Sequence, residues 1–340
     1  MNDLASLAHD IAADGVRATF GITGSGPTLT LLDALERHGV DVVRTQFEGS
    51  AALMAGTVGR LSNHAGLTYG IKGPGLANMA PGLAACLLDA FPVVAIVEAY
   101  PNTAGPEKAH KRMNHPAFAD AVCKGRTVLS VDGPDFSAVA RYAESEVPGP
   151  VLLEITGGSE RSQPLPAVNT VAGDAAAVLA AIAASRRPVV IAGTLAIRRR
   201  WSAWLSGLNV PVFSTAAAKG VVDEAGANAA GVYTGVGLKL VSETTLLAEA
   251  DLVIGLGLRP NEVLATKLFA CPAVNIDSAV VPGSGAFRFA AGAAPRADGA
   301  SVKPNLHGWY HRRKPPSTPC GKTSVRTRVL ASSARWFPTD

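Results

Sequence analysis

A single carboxylate, Glu48, stands where an apolar stretch meets a run of small and apolar residues at 49–56. A charge in such surroundings costs free energy unless another group pairs with it. A carboxyl group shielded from water can hold or release a proton near neutral pH, as general acid or base chemistry requires. The alternative is a solvated glutamate that stabilises the start of a helix through the helix dipole. Glu48 is therefore a candidate proton-handling residue.

A glycine-rich segment, Gly73-Pro74-Gly75, follows 25 residues after Glu48 and leads to Asn78. We call it the GPG loop. Glycine lets the backbone approach a ligand closely, and a loop that opens a helix points free N–H groups outward. The loop is thus a candidate ligand contact, and Asn78 could add a polar one. The alternatives are an ordinary strand-to-helix turn and an asparagine that serves the local backbone.

A second glycine-rich segment, Gly24-Ser25-Gly26, precedes another predicted helix. We call it the GSG turn, and Gly24 and Gly26 are candidate ligand contacts for the same reason as the GPG loop. The GxGxxG fingerprint of dinucleotide-binding folds lacks its third glycine here, so the turn does not predict a dinucleotide site.

A basic segment contains His110, Lys111 and His115. A positively charged loop could attract and steer an anionic substrate. A solvated surface loop explains the same residues equally well. Lys72, which directly precedes the GPG loop, has the same two interpretations.

Apolar strands alternate with helices over residues 1–160, which favours a parallel α/β sheet. The strand at 93–99 is continuously apolar, as expected for a strand covered on both faces. Further strands are predicted at 16–22, 40–46, 67–71, 127–131 and 150–155. Helices are predicted at 28–37, 48–61, 76–90, 117–124 and 136–145.

A second α/β domain is predicted at 170–279, after a linker-like stretch at 157–165. It begins with a helix at 175–184. Its strands are predicted at 187–193, 210–214, 251–257 and 273–277.

The segment 280–340 differs in composition, because it is rich in Arg, Pro, Ser, Ala and Gly and shows no sustained periodicity. From Arg288 to Asp340 it contains 10 Lys or Arg and 2 Asp or Glu. The rest of the chain has a net charge of −4, against +4 for the whole. We expect an irregular, disordered basic tail, and the change in composition suggests a non-homologous or frameshifted extension.

Composition also excludes several classes of function. The acidic main body and the few aromatic residues argue against binding of nucleic acid. Four scattered cysteines without a CxxC pair argue against structural zinc and suit a reducing cytoplasm. The first residues lack the basic region of a signal peptide, and the most apolar stretch is too interrupted to span a membrane. The sequence predicts a cytoplasmic protein without a metal site of its own.

Glu48 at a strand-to-helix corner, followed by the GPG loop, resembles the pyrimidine-binding domain of enzymes that depend on thiamine diphosphate (ThDP). Acetolactate synthases and benzoylformate decarboxylases belong to this family. The second domain is similar to the family's Rossmann-like middle domain, because the strands RPVVIAG, DLVIGLGLRPNE and VNIDS follow in the same order. The resemblance covers about 1–279 and implies two consecutive α/β domains with parallel sheets.

The resemblance implies a role for each candidate residue. Glu48 would hydrogen-bond N1′ of the cofactor's aminopyrimidine and so activate the thiazolium C2. Both glycine-rich loops, with Asn78, would shape the cofactor pocket, although Thr23 stands where the family usually has proline. The segment with His110, Lys111 and His115 would meet a 2-oxo acid.

The family also uses a third domain, which binds the diphosphate through Mg²⁺ with a Gly-Asp-Gly motif. That motif is absent from the 340 residues. We therefore expect Mg²⁺ to be supplied by a domain absent here, and a chain that is inactive alone and works as a homodimer or with a partner chain. A non-catalytic binding or regulatory scaffold is the alternative. Gly255 and Gly257 after a strand also allow a nucleotide-binding protein, FAD included.

Overall fold

The computed structural model describes residues 4–24, 26–101, 103–105, 107, 110–129, 135–156, 164–167, 175–235, 242–258, 262 and 269–276. Within these residues the chain forms two all-parallel sheets with helices, so the predicted fold class is confirmed. The predicted tail at 280–340 lies outside the described residues. Most of the predicted boundary between 160 and 170 does as well.

The first sheet has six strands in the order β2-β1-β3-β4-β6-β5. Its strands are β1 (Ala18–Gly21), β2 (Asp41–Arg44), β3 (Gly66–Gly70), β4 (Val93–Glu98), β5 (Gly125–Val128) and β6 (Pro150–Ile155). Its helices are α1 (Leu4–Ala13), α2 (Pro27–Arg37), α3 (Glu48–Ser62), α4 (Pro74–Leu88), α5 (His115–Val122) and α6 (Phe136–Glu144).

Both faces of this sheet are covered, as the apolar strand β4 shows. Val94 and Ile96 pack into one core with α1, α2 and α6. Val93, Ala95 and Val97 pack into a second core with α3, α4 and α5. Successive side chains of a strand point to opposite faces, so a strand between two helix layers must be apolar throughout.

The second sheet has five strands in the order β11-β10-β7-β8-β9. Its strands are β7 (Pro188–Ala192), β8 (Val212–Ser214), β9 (Ala229–Val232), β10 (Leu252–Leu256) and β11 (Ala273–Ile276). Its helices are α7 (Ala175–Ala184), α8 (Thr194–Arg198), α9 (Ser202–Ser206) and α10 (Ser242–Glu249). Two further apolar cores cover its two faces.

The two sheet domains contact each other through two arginines. Arg198 of α8 makes two hydrogen bonds of 2.8 Å to the carboxylate of Glu146, which follows α6. Arg60 of α3 donates to the carbonyl of Ala217 at 2.8 Å and lies over the Phe91 ring. Because Arg198 and Glu146 are both largely buried, this paired contact fixes the approach of the domains.

Several predicted element bounds differ from the observed ones. Helix α4 begins at Pro74 and not at residue 76, since proline fits the first turn of a helix, where its missing N–H costs nothing. Helix α5 likewise begins at His115, with Pro116 in its first turn and Asn114 as its cap. Strand β9 and helices α8, α9 and α10 were not predicted, because they are short or only weakly periodic.

Helices α3 and α4 pack unusually closely because two glycines face each other. A Cβ on Gly82 would lie 2.2 Å from the carbonyl oxygen of Gly49, and one on Gly49 would lie 3.1 Å from the carbonyl oxygen of Asn78. This approach brings Asn78 of α4 beside Glu48, the first residue of α3.

We predict that Gly82→Ala destabilises the protein by about 1–3 kcal/mol, because the new methyl group would collide with backbone. Urea unfolding monitored by circular dichroism measures this. The control is Gly207→Ala, where the nearest atoms to a new Cβ lie at 3.5 Å, an ordinary contact. Equal stability of the two variants would contradict the packing described here.

Candidate functional site

Glu48 is the first residue of α3 and is only 6% exposed. Its Oε2 accepts a hydrogen bond of 3.2 Å from the Asn78 side-chain amide. Its Oε1 faces Gly75 of the GPG loop, 3.7 Å from the position that a Cβ on this glycine would take. A helix N-terminus stabilises a negative charge, so the position tolerates the carboxylate form.

The partners of Glu48 set it apart from the other buried glutamates of the described residues. Each of the others accepts at least two hydrogen bonds from the chain. Glu48, in contrast, accepts one hydrogen bond within these residues, from the neutral side-chain amide of Asn78. A carboxyl group in this state has capacity left for a ligand's donor. The others are Glu98, Glu154, Glu243 and Glu262.

The GPG loop is fixed through the backbone of Gly73. This residue has φ +65°, a conformation that favours glycine. A Cβ on it would lie 2.1 Å from the carbonyl oxygen of Lys111, so a larger residue would push the two segments apart. The Gly73 N–H donates to Nε2 of His115 at 2.9 Å.

His115 links this loop to the sheet. Because Nε2 accepts a hydrogen bond from the backbone, the ring proton of the neutral form sits on Nδ1. Nδ1 then donates to Oε1 of Glu154 at 2.8 Å, and Arg126 donates to Oε2 of Glu154 at 2.5 Å. Burial raises the pKa of Glu154, but the hydrogen bonds from His115 and Arg126 outweigh it and leave this pKa below its ordinary value.

A second buried carboxylate, Glu98, joins the GSG turn to the start of the GPG loop. Its Oε1 accepts from the backbone N–H and the hydroxyl of Thr28, at 3.1 and 2.6 Å, and so caps the first turn of α2. Its Oε2 pairs with Lys72 at 2.5 Å. Gly24 packs closely on the end of β3, since a Cβ on it would lie 1.8 Å from Ile71. Gly26 has φ +84°, a conformation that favours glycine.

Several of the residues predicted from the sequence are brought together by the structure. Glu48, Asn78 and Gly75 are in contact, and Pro74 opens α4 beside them. The roles of these residues, and of Gly24, Gly26 and Gly73, remain predictions.

The three residues predicted to meet substrate occupy different positions. His110 is exposed and Lys111 is half-buried. His115 is buried, and both of its ring nitrogens are hydrogen-bonded within the chain. A substrate role for them stays a prediction, and His115 has a supporting role that the sequence did not indicate.

Glu98, Glu154 and Arg126 were not predicted from the sequence. They are distant from the loops along the chain and meet them only through the strand order. The one available signal was a charged residue inside an otherwise apolar strand: Glu98 ends β4 and Glu154 lies within β6.

In the second domain, Glu262 caps the start of α8 in the way that Glu98 caps α2 in the first. Oε1 of Glu262 accepts from the backbone N–H and hydroxyl of Thr194, at 2.9 and 2.8 Å, and Oε2 accepts from Thr215 at 2.6 Å. These groups lie beside Gly257, which has φ +60°, at the ends of β7 and β10. The Thr194 N–H, which a nucleotide phosphate would need as a donor, already donates to Glu262. This disfavours nucleotide binding at this point.

The described part of the chain has neither a membrane-spanning helix nor a cluster of metal ligands. None of its helices has the length and apolar character needed to cross a membrane. No group of three or more His, Cys, Asp or Glu within it could hold a metal ion.

Two protein families match the sequence. Residues 1–118 match the family described as thiamine pyrophosphate enzyme, N-terminal TPP binding domain. Residues 175–281 match the family described as thiamine pyrophosphate enzyme, central domain. The two matches fall on the two sheet domains in the order that the resemblance predicted.

Curated relatives agree with these matches. The catabolic acetolactate synthase of Raoultella terrigena is 29% identical over 203 residues, 56% of this chain and 36% of that protein. The probable 2-ketoarginine decarboxylase AruI of Pseudomonas aeruginosa is 30% identical over 282 residues, 74% of this chain and 48% of that protein. A probable acetolactate synthase large subunit of Methanococcus aeolicus is 25% identical over 317 residues, 83% of this chain and 51% of that protein. The chain thus spans about half or less of these relatives.

Proposed function

From the premise that this chain belongs to the family of thiamine-diphosphate-dependent enzymes, through its N-terminal and central domains, we propose that Glu48 and the GPG loop hold the aminopyrimidine half of the cofactor. The observation that carries the proposal is the state of Glu48, which is buried, bonded to one amide and open toward Gly75. When bound, thiamine diphosphate supplies an electron sink for a carbanion formed next to a carbonyl group.

Glu48 is the residue to which we assign proton handling. Its carboxyl would hold or pass on a proton at Oε1, the oxygen that faces Gly75. Asn78 keeps the other oxygen in place, so the proton-bearing oxygen is defined. Burial of the carboxyl beside Ala51 and Ala52 excludes water from one side of the group.

The remaining roles follow from position. The GPG loop and the GSG turn, with Gly24 and Gly26, would border the cofactor pocket, and the segment around Lys111 would meet a 2-oxo acid substrate. We further propose that Mg²⁺ and the diphosphate are held outside these two domains, by another domain or a partner chain. The full reaction would be cleavage or formation of a carbon–carbon bond next to a carbonyl, as in acetolactate synthesis or 2-oxo-acid decarboxylation.

We predict that Glu48→Ala weakens binding of thiamine diphosphate by about tenfold or more, because a buried hydrogen bond to the cofactor is lost. Isothermal titration with the cofactor and Mg²⁺ measures the change. The control is Glu224→Ala, since Glu224 is an exposed glutamate of the second domain. Absence of binding to the wild-type chain, or equal affinities for wild type and Glu48→Ala, would contradict the proposal.

Helix α3 also presents an apolar face to solvent next to Glu48. Met54, Val58 and Leu61 recur at helical spacing and are 41%, 41% and 79% exposed, and Phe47 and Leu53 are each 44% exposed. Such a patch is costly in water and is typical of an interaction surface. We propose that a second copy of this chain covers it, which would also complete the shielding of Glu48.

We predict that light scattering coupled to gel filtration gives twice the 34.8 kDa mass of one chain. Val58→Glu with Leu61→Glu should shift the protein to the monomer, because two buried charges would oppose association. The control is Leu179→Glu, because Leu179 is an exposed leucine on α7 of the second domain. A monomeric wild type, or an unchanged dimer in the double variant, would overturn this assignment.

A further inference from the structure

A cavity of about 470 Å³ lies where β4, β5 and β6 end. Its wall includes Tyr100 after β4, Val128 at the end of β5 and Thr156 after β6. Ligands of parallel α/β sheets bind beyond the carboxyl ends of the strands, and this volume is typical of a small-molecule site. Glu48 and Gly75 do not line it, although Lys72 and His115 beside the GPG loop do.

Four cations line the cavity, and two of them are neutralised within the chain. Lys72 pairs with Glu98, and Arg126 pairs with Glu154. The other two are Lys111 and Arg112, which have no carboxylate partner within the described ranges. The cavity therefore has two positive charges that its own wall does not compensate.

The position of Arg112 is fixed by two contacts. Its guanidinium lies over the Tyr100 ring, 5.8 Å from the ring centroid, and Lys72 Nζ lies 5.2 Å from the same centroid. Arg112 also donates to the carbonyl of Ala104 at 2.8 Å. A guanidinium has five N–H donors, so most of them stay available to a ligand in the cavity.

The position of Lys111 is fixed by its backbone. Lys111 has φ +62°, a left-handed conformation that is unfavourable for a residue with a side chain. Its carbonyl packs against Gly73, in the space that the missing Cβ leaves. Strained backbone persists where the surrounding structure over-determines it, and here the contact with the GPG loop does so. This backbone conformation holds Lys111 at the wall of the cavity.

We propose that this cavity binds a small organic acid with two acidic groups, and that Lys111 and Arg112 are their partners. Lys111 is half-buried and Arg112 is exposed at the rim of the cavity. A ligand with two acidic groups can pair with both cations, whereas a monoanion can pair with only one of them. Binding does not depend on thiamine diphosphate. One extension rests on the proposed function: the substrate would then be a 2-oxo acid with a second acidic group.

Isothermal titration of the full chain without thiamine diphosphate tests this. The probes are 2-oxoglutarate with two carboxylates, phosphoenolpyruvate with a carboxylate and a phosphate, and pyruvate with one carboxylate. We expect at least one of the two compounds with a second acidic group to bind about tenfold or more tightly than pyruvate, and the tighter of the two identifies that group. Lys111→Gln and Arg112→Gln should each lower the affinity for the preferred ligand to about the affinity for pyruvate.

Lys219→Gln is the matched control, because Lys219 is an exposed lysine of the second domain that pairs with Glu224. It should leave all affinities unchanged. Equal affinity for all three probes, no binding of any probe at millimolar concentration, or full affinity in both cavity variants would overturn the proposal. Since the titration contains no cofactor, failure of thiamine diphosphate to bind would leave this result unaffected.

Discussion

The site depends on the way the backbone of Gly73 is held. Its N–H is bonded to His115, and the carbonyl of Lys111 lies where a side chain would begin. Two residues further on, Gly75 faces Glu48. The same loop therefore borders the buried carboxyl of the proposed cofactor pocket and supports the segment that lines the basic cavity. A shift of Gly73 would disturb both.

Buried glutamates keep this part of the molecule in place by means of complementary partners. Glu154 is bonded to His115 and Arg126, and Glu98 to Thr28 and Lys72. Removal of one member of such a group would leave a buried polar atom without a partner, so the groups act as rigid supports. Glu48 differs, because its one neutral partner leaves it free to respond to a ligand.

Much of this arrangement was predictable. The alternation of strands and helices predicted both parallel sheets, and the order of the motifs predicted the two matched domains. The environment of Glu48 was predicted only in part: Ala51 and Ala52 are buried among the small residues that follow it, but Phe47 and Leu53 are exposed. Residue types show that a helix is apolar and do not show which face remains without a neighbour.

The supporting residues could not be predicted from local patterns. Strand β6 lies between β4 and β5 in the sheet, and this order brings Glu154 to both Arg126 and His115. No local spacing specifies that crossover. The basic segment around His115 predicted a substrate role, and no local pattern indicated that its ring also accepts a hydrogen bond from the backbone of Gly73.

Both sites depend on the hydrogen bond from Gly73 to His115, and the tautomer of His115 tests it most directly. Nitrogen-15 NMR of ring-labelled histidine at neutral pH reports which ring nitrogen bears the proton, and His115→Gln assigns the signal. We expect Nδ1 protonated and Nε2 unprotonated, because Nε2 accepts the N–H of Gly73. A proton on Nε2 would contradict the account, since that nitrogen could not then hold the loop.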